Sequence, residues 1–242
     1  SVSKYKFSKI KNFHQYDPKI SIYGNDIIFF DNKGSILRFN NDTDLVWKRN
    51  NYIKSEKKQN PILFFANNKK TLIVADNISK YYALNINTGE ILWSKNNVAP
   101  FNSEIKIYKD KFFVIDFENV LRAYSVSNGN EIWNVRTTNL LIRSQKSLSM
   151  VIIKDKIYFN NSSGDISSVD IQTGELLWQT PTQSSLVYGE SFFLKTSDII
   201  ADKDTIYFSN NKNKFFSLDI RTGTLNWEQK VNSNLRPTLI DN

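Results

Sequence analysis

The sequence predicts an all-β fold, a β-propeller of four-stranded blades, on three observations. Five tryptophans, Trp47, Trp93, Trp133, Trp178 and Trp227, recur 46, 40, 45 and 49 residues apart, a period typical of propeller blades and longer than most helical repeats. Four of them end the same eleven-residue pattern, Ala83–Trp93, Ala123–Trp133, Ser168–Trp178 and Ser217–Trp227, with a polar residue at the third position and Gly at the seventh. Between these patterns lie short runs rich in β-branched and aromatic residues, bounded by Asn, Asp, Gly and Ser, which read as strands and turns.

Each position in the pattern has a physical use. Gly89, Gly129, Gly174 and Gly223 stand four residues before a Trp, where a tight hairpin requires positive φ. Asn85, Ser125, Asp170 and Asp219 stand four before the Gly and are expected to accept hydrogen bonds from the turn amides. The Trp is placed on the outermost strand, filling the wedge between blades, with its indole N–H on a backbone carbonyl. In the first blade Thr43 replaces the Gly and Phe39 the polar residue, as terminal repeats often depart from the pattern.

The strands follow in order. Blade one contains Ile27–Phe30 and Ser35–Phe39, blade two Thr71–Ala75 and Tyr81–Leu84, blade three Phe112–Ile115 and Leu121–Tyr124. Blade four reads completely, as Ser149–Ile153, Lys156–Asn160, Ile166–Asp170 and Leu176–Gln179, and blade five contains Ile206–Ser209 and Phe215–Leu218. No helix is expected, and the charged run Lys54–Lys58 reads as a surface loop. Lys4–Ile10 alternates like a strand with no blade before it, so it is expected to be the strand that closes a ring. Arg236–Asn242 reads as another strand beginning. Residues 1–242 are therefore expected to form a single domain that is part of a longer ring of about seven or eight blades.

Composition narrows the function. The chain has no cysteine, which removes disulfides and thiolate metal sites. Its net charge is +8, with lysines spread among acidic residues. No basic cluster alternates with stacking aromatics, so nucleic acid is not an expected partner. His14 is the one histidine, too few for a histidine metal site or a Ser-His-Asp set. The carboxylates at Asp170, Asp219, Glu90 and Glu175 lie in or beside turns, where structure accounts for them. Tyr52, Tyr188 and Phe192 are loop aromatics expected to pack locally. No enzyme, metal or cofactor is expected.

The pattern Ala-x-Asp-x-x-Thr-Gly-x-x-x-Trp resembles the PQQ repeat, and the lone first strand followed by a blade is similar to the layout of the BamB family. The segment after Trp133 is also similar. That family carries a Leu-x-Leu-Arg motif there, which contacts the central subunit of the outer-membrane β-barrel assembly machinery. By this resemblance Leu140, Ile142 and Arg143 are partner-binding residues. Read from the residues alone, aliphatics beside an Arg in an inter-blade loop fit either a small contact site or a loop in which Leu140 and Ile142 pack locally and Arg143 is solvated. The family's second, acidic contact pair has no counterpart in Phe192–Ser197, only Asp198 beyond it. The resemblance implies a non-enzymatic scaffold in the periplasm, tethered to the outer membrane by a lipid anchor outside this sequence. The alternatives are another extracytoplasmic interaction or sensor propeller and, remotely, a PQQ-dependent quinoprotein dehydrogenase.

Overall fold

The computed structural model describes residues 20–31, 34–138, 144, 146–183 and 194–240. Over these the chain forms five four-stranded antiparallel sheets, each built from strands consecutive in sequence. The first sheet holds β1 (Ile20–Tyr23), β2 (Asp26–Phe30), β3 (Ser35–Phe39) and β4 (Leu45–Asn50). A single-turn helix, α1 (Lys54–Lys58), precedes the second: β5 (Leu63–Asn67), β6 (Thr71–Asp76), β7 (Lys80–Asn85) and β8 (Ile91–Asn96). The third holds β9 (Lys106–Tyr108), β10 (Lys111–Ile115), β11 (Val120–Ser125) and β12 (Glu131–Arg136). The fourth holds β13 (Met150–Ile153), β14 (Lys156–Asn160), β15 (Ile166–Asp170) and β16 (Leu176–Thr180). The fifth holds β17 (Ile200–Ala201), β18 (Thr205–Asn210), β19 (Lys214–Asp219) and β20 (Leu225–Gln229). These are propeller blades, and every tryptophan of the repeat lies on the fourth strand of its blade. Lys4–Ile10 and His14 lie outside the described residues.

The chain divides into two compact units, residues 1–101 with 125–129, and residues 102–124 with 130–242. In the first, Ile28, Leu63, Leu72, Val74, Tyr82 and Leu84 form a buried core with Trp47. The second unit has a buried cluster around Phe113, Leu121, Met150, Phe159 and Val169 and another around Tyr158, Ile206, Phe208 and Leu218. Middle strands are buried on both faces, so they read as continuous apolar runs: all six residues of β6 are buried. Fourth strands alternate or are exposed, as in β8 and β12.

The contact that recurs is an indole lying on a glycine. A Cβ built on Gly89 would come within 2.8 Å of Trp47, one on Gly129 within 2.6 Å of Trp93, and one on Gly174 within 2.7 Å of Trp133. Gly223 sits against Trp178 in the same way. The same glycines have φ of 70°, 68°, 76° and 72°, so the position excludes a side chain twice, by conformation and by space. Residues 125–129 group with the first unit for this reason, since Gly129 carries the Trp93 ring. Trp47 Nε1 donates to the Ile86 carbonyl at 3.0 Å and Trp93 Nε1 to that of Val126 at 2.9 Å. The expected indole hydrogen bond is absent at Trp133 and Trp178, whose buried Nε1 atoms have no partner among the described residues. Trp227 is 39% exposed, against 5% for Trp47.

Thr43 keeps the turn of the first blade. Its φ is 69°, and Asn40 takes the role expected of the residue at Phe39, accepting the Asp44 amide on Oδ1 at 2.8 Å. The turn acceptors at Asn85, Asp170 and Asp219 behave as expected: each Oδ1 receives the amides two and three residues on. Ser125 differs, pairing its hydroxyl with Ser127. The charged run at 54–58 is a helical turn, not the expected loop. Glu56 reaches back to accept the Ile53 amide at 2.8 Å, which satisfies a donor that a helix start otherwise leaves free.

Two comparisons test the glycine contact. Gly174→Ala is expected to cost about 2–4 kcal/mol, from left-handed strain plus the clash with Trp133. Gly24→Ala, at φ 59° with nothing within 4 Å, is expected to cost only about 1 kcal/mol. Urea unfolding measures both, and equal costs would remove the steric half of the argument. Trp47→Phe, which loses the bond to Ile86, is expected to destabilise by about 1 kcal/mol more than Trp178→Phe, which loses none.

Candidate functional site

Leu140, Ile142 and Arg143 lie outside the described residues, and Thr137 and Ser144, which flank their connection in sequence, are held on a common mount. Its near end is Thr137, just past β12. The Thr137 carbonyl accepts Gln179 Nε2 at 3.0 Å, and its Oγ1 accepts Asn161 Nδ2 at 3.4 Å. Its far end is Ser144, whose amide donates to Ser162 Oγ at 3.0 Å and whose carbonyl accepts Asn102 Nδ2 at 3.1 Å. Both ends therefore rest on the turn between β14 and β15. Ser162 is itself held there, its amide donating to Asn119 Oδ1 at 2.8 Å. Two residues on, Lys146 Nζ donates to the carbonyls of Thr196 and Asn234, each at 2.8 Å, and pairs with Asp198 at 3.5 Å.

The sequence reads Asn161–Gly164 as a turn, but sequence reasoning missed that this turn recurs in every blade and holds the flanks of the connection, although the repeat left a signal. Every blade begins its second turn with Asp or Asn: Asp31, Asp76, Asp116, Asn161 and Asn210. Each side-chain Oδ1 accepts one or two turn amides, Asn161 those of Ser163 at 2.9 Å and Asp165 at 3.1 Å. Three residues later the backbone turns left-handed, at Gly34, Ser79, Asn119, Gly164 and Asn213. The repeat is hidden because only two of these five are glycine.

The buried ionisable groups Arg122 and Tyr52 are engaged in structure. Arg122 is buried between Asp116 at 2.8 Å and Glu131 at 2.7 Å. Tyr52 is buried as expected, donating to Asp76 Oδ2 at 2.6 Å with its ring edge on Tyr82, and burial raises the pKa of Tyr52. Tyr188 and Phe192 lie outside the described residues. Among the described residues no group of three or more His, Asp or Glu is placed to hold a metal ion. The Thr173 amide, with that of Gln172 and the Thr173 hydroxyl, holds the Asp170 carboxyl below the usual carboxylate range.

Comparison with known proteins places these blades. The profile of the family described as outer membrane protein assembly factor BamB matches residues 32–242. A protein of that name from Kangiella koreensis is 27% identical over 122 residues, 45% of this chain and 28% of that protein. The crystal structure of BamB from Moraxella catarrhalis superposes with a TM-score of 0.76 at 14% identity, covering 90% of this chain and 65% of that one. The computationally designed Ika8 protein gives 0.73 at 12% identity, over 95% of this chain and 67% of its own. The chain thus spans under a third of the curated relative and about two thirds of the Moraxella protein.

The turn carboxylate sets a pH dependence. With its folded pKa depressed, Asp170 stabilises the fold above the ordinary carboxylate range near about 4, and that contribution is lost as pH falls through the depressed value. Asp170→Asn keeps a side-chain oxygen for the amides and has no charge to titrate. Its stability, followed by urea midpoint from pH 6 to pH 2, is expected to fall less steeply in acid than that of the wild type.

Proposed function

The chain belongs to the family of outer membrane protein assembly factor BamB, and from that premise we propose that it is a non-enzymatic protein-binding scaffold in the assembly of outer-membrane β-barrel proteins. It works in the periplasm, tethered to the outer membrane through a lipid anchor outside this sequence. Its partner is the central barrel subunit of the machinery, engaged through that subunit's periplasmic domains. The observation that carries the reading is the family match over almost the whole chain, joined to the mounted connection between Thr137 and Ser144.

The residues suit this role. A connection fixed at both ends loses less conformational freedom on binding than a free one, so more of its contact energy appears as affinity. Leu140 and Ile142 supply apolar anchors two residues apart, and Arg143 supplies a charge-assisted donor to a carboxylate or carbonyl of the partner. A second reading, an extracytoplasmic interaction or sensor propeller with another partner, draws on the departure at Phe192–Ser197. There the acidic pair is missing, and Asp198 is occupied by Lys146.

The test is capture of the full chain by the periplasmic domains of the barrel subunit. The wild type is expected to bind. Leu140→Ala/Arg143→Ala, folded by circular dichroism, is expected to bind at least about tenfold more weakly. Unchanged binding by the double variant rejects the loop. No binding by the wild type rejects this partner and leaves the second reading.

A further inference from the structure

The turn between β6 and β7, Asp76–Lys80, gathers three exposed aliphatic side chains and three lysines of the first unit. Ile62 is tied to it by two bonds, its amide to Asn77 Oδ1 at 2.7 Å and its carbonyl to the Asn77 amide at 3.2 Å. The Asn97 amide donates to the Ser79 carbonyl at 2.7 Å, which fixes the neighbouring Val98. Tyr52 donates to Asp76, and Lys80 Nζ bonds Glu56 at 3.1 Å and the Asn51 carbonyl at 2.6 Å. These three bonds clip down α1 and with it Ile53. Held in this way, Ile53, Ile62 and Val98 remain 66%, 52% and 83% exposed. No residue of α1 is buried. Its one acid, Glu56, is taken by Lys80, and Lys54, Lys57 and Lys58 form no ion pair among the described residues.

We propose that this patch is a docking surface for an anionic phospholipid bilayer. The side chains choose between a membrane and a protein partner. Protein interfaces centre on aromatic and Arg anchors and are depleted in Lys, whereas the patch presents Ile, Val and Lys with no Arg. Its aliphatics project singly, from a helix start, the approach to β5 and a connection between blades, a form suited to insertion at the headgroup boundary. Lysine ammoniums are mobile point charges, suited to a diffuse layer of negative headgroups rather than to one directed acceptor. The clip matters because it presents α1 without a folding cost at the moment of contact. The contact is weak and reversible, additional to any anchor, and it would orient blades one and two toward the membrane.

The experiment is flotation of the full chain with phosphatidylcholine vesicles, with and without 30% phosphatidylglycerol, and it involves no protein partner. Binding is expected only with phosphatidylglycerol and is expected to weaken in high salt. Each lysine is expected to contribute about fivefold, so Lys54→Gln/Lys57→Gln/Lys58→Gln is expected to lose about a hundredfold in partition. Ile53→Ser/Val98→Ser is expected to weaken binding at unchanged charge. Lys69→Gln/Lys70→Gln removes two charges from the turn at the opposite end of β6 and is expected to change binding little. Failure of the wild type to float, an unaffected triple variant, or an equal loss with Lys69→Gln/Lys70→Gln overturns the proposal. Loss of barrel-subunit capture by the triple variant without vesicle binding would reassign the patch to a protein.

Discussion

The stacking of an indole on a glycine is the constraint from which the rest of this structure follows. It couples the fourth strand of one blade to the third turn of the next, and it demands a backbone without Cβ at four positions. The left-handed φ at those positions then sets the turn, and the turn sets the register of β7 with β8, β15 with β16, and β19 with β20, each with a bulge beside the Trp partner. The coupling is between neighbours in sequence, so stability is nearly a sum of blade and interface contributions, as in other repeat proteins. That is why the loss of an indole bond at Trp133 and Trp178 is tolerated: the ring still fills the wedge and the interface keeps its apolar contact.

Much of the fold was legible because the constraint is written in rare residues. Trp and Gly at fixed spacing mark the blades, and strands such as Lys156–Asn160 and Ile166–Asp170 match their expected limits. The second turn was legible in blade four, at Asn161–Gly164, but not as a repeat, because Asp and Asn substitute for one another and the left-handed position accepts Ser and Asn as well as Gly. Helix α1 was missed because its stability lies outside itself: five residues with no buried side chain are held by Lys80, twenty-four residues beyond Glu56.

The candidate loop was legible only through resemblance. Leu140, Ile142 and Arg143 have no pattern that separates a contact from a locally packed loop. What physical reading adds is the support on either side. Asn161 serves two tasks, ordering its own turn and holding Thr137, so the loop's near end is as fixed as the blade beneath it. Thr137 and Ser144, between the third and fourth blades, are thus held by residues far from them in sequence, Asn102 and Gln179 among them.

Thr43 gives the repeat a direction. An indole-on-glycine joint is heterologous, a plug on one edge of a blade and a socket on the other, and such joints close into a ring where the rotation between units permits it. Blade one has the plug, Trp47, but its socket holds a β-branched side chain on a left-handed backbone. Threonine therefore denies blade one the side-chain-free seat that Gly89, Gly129, Gly174 and Gly223 offer in the four blades after it.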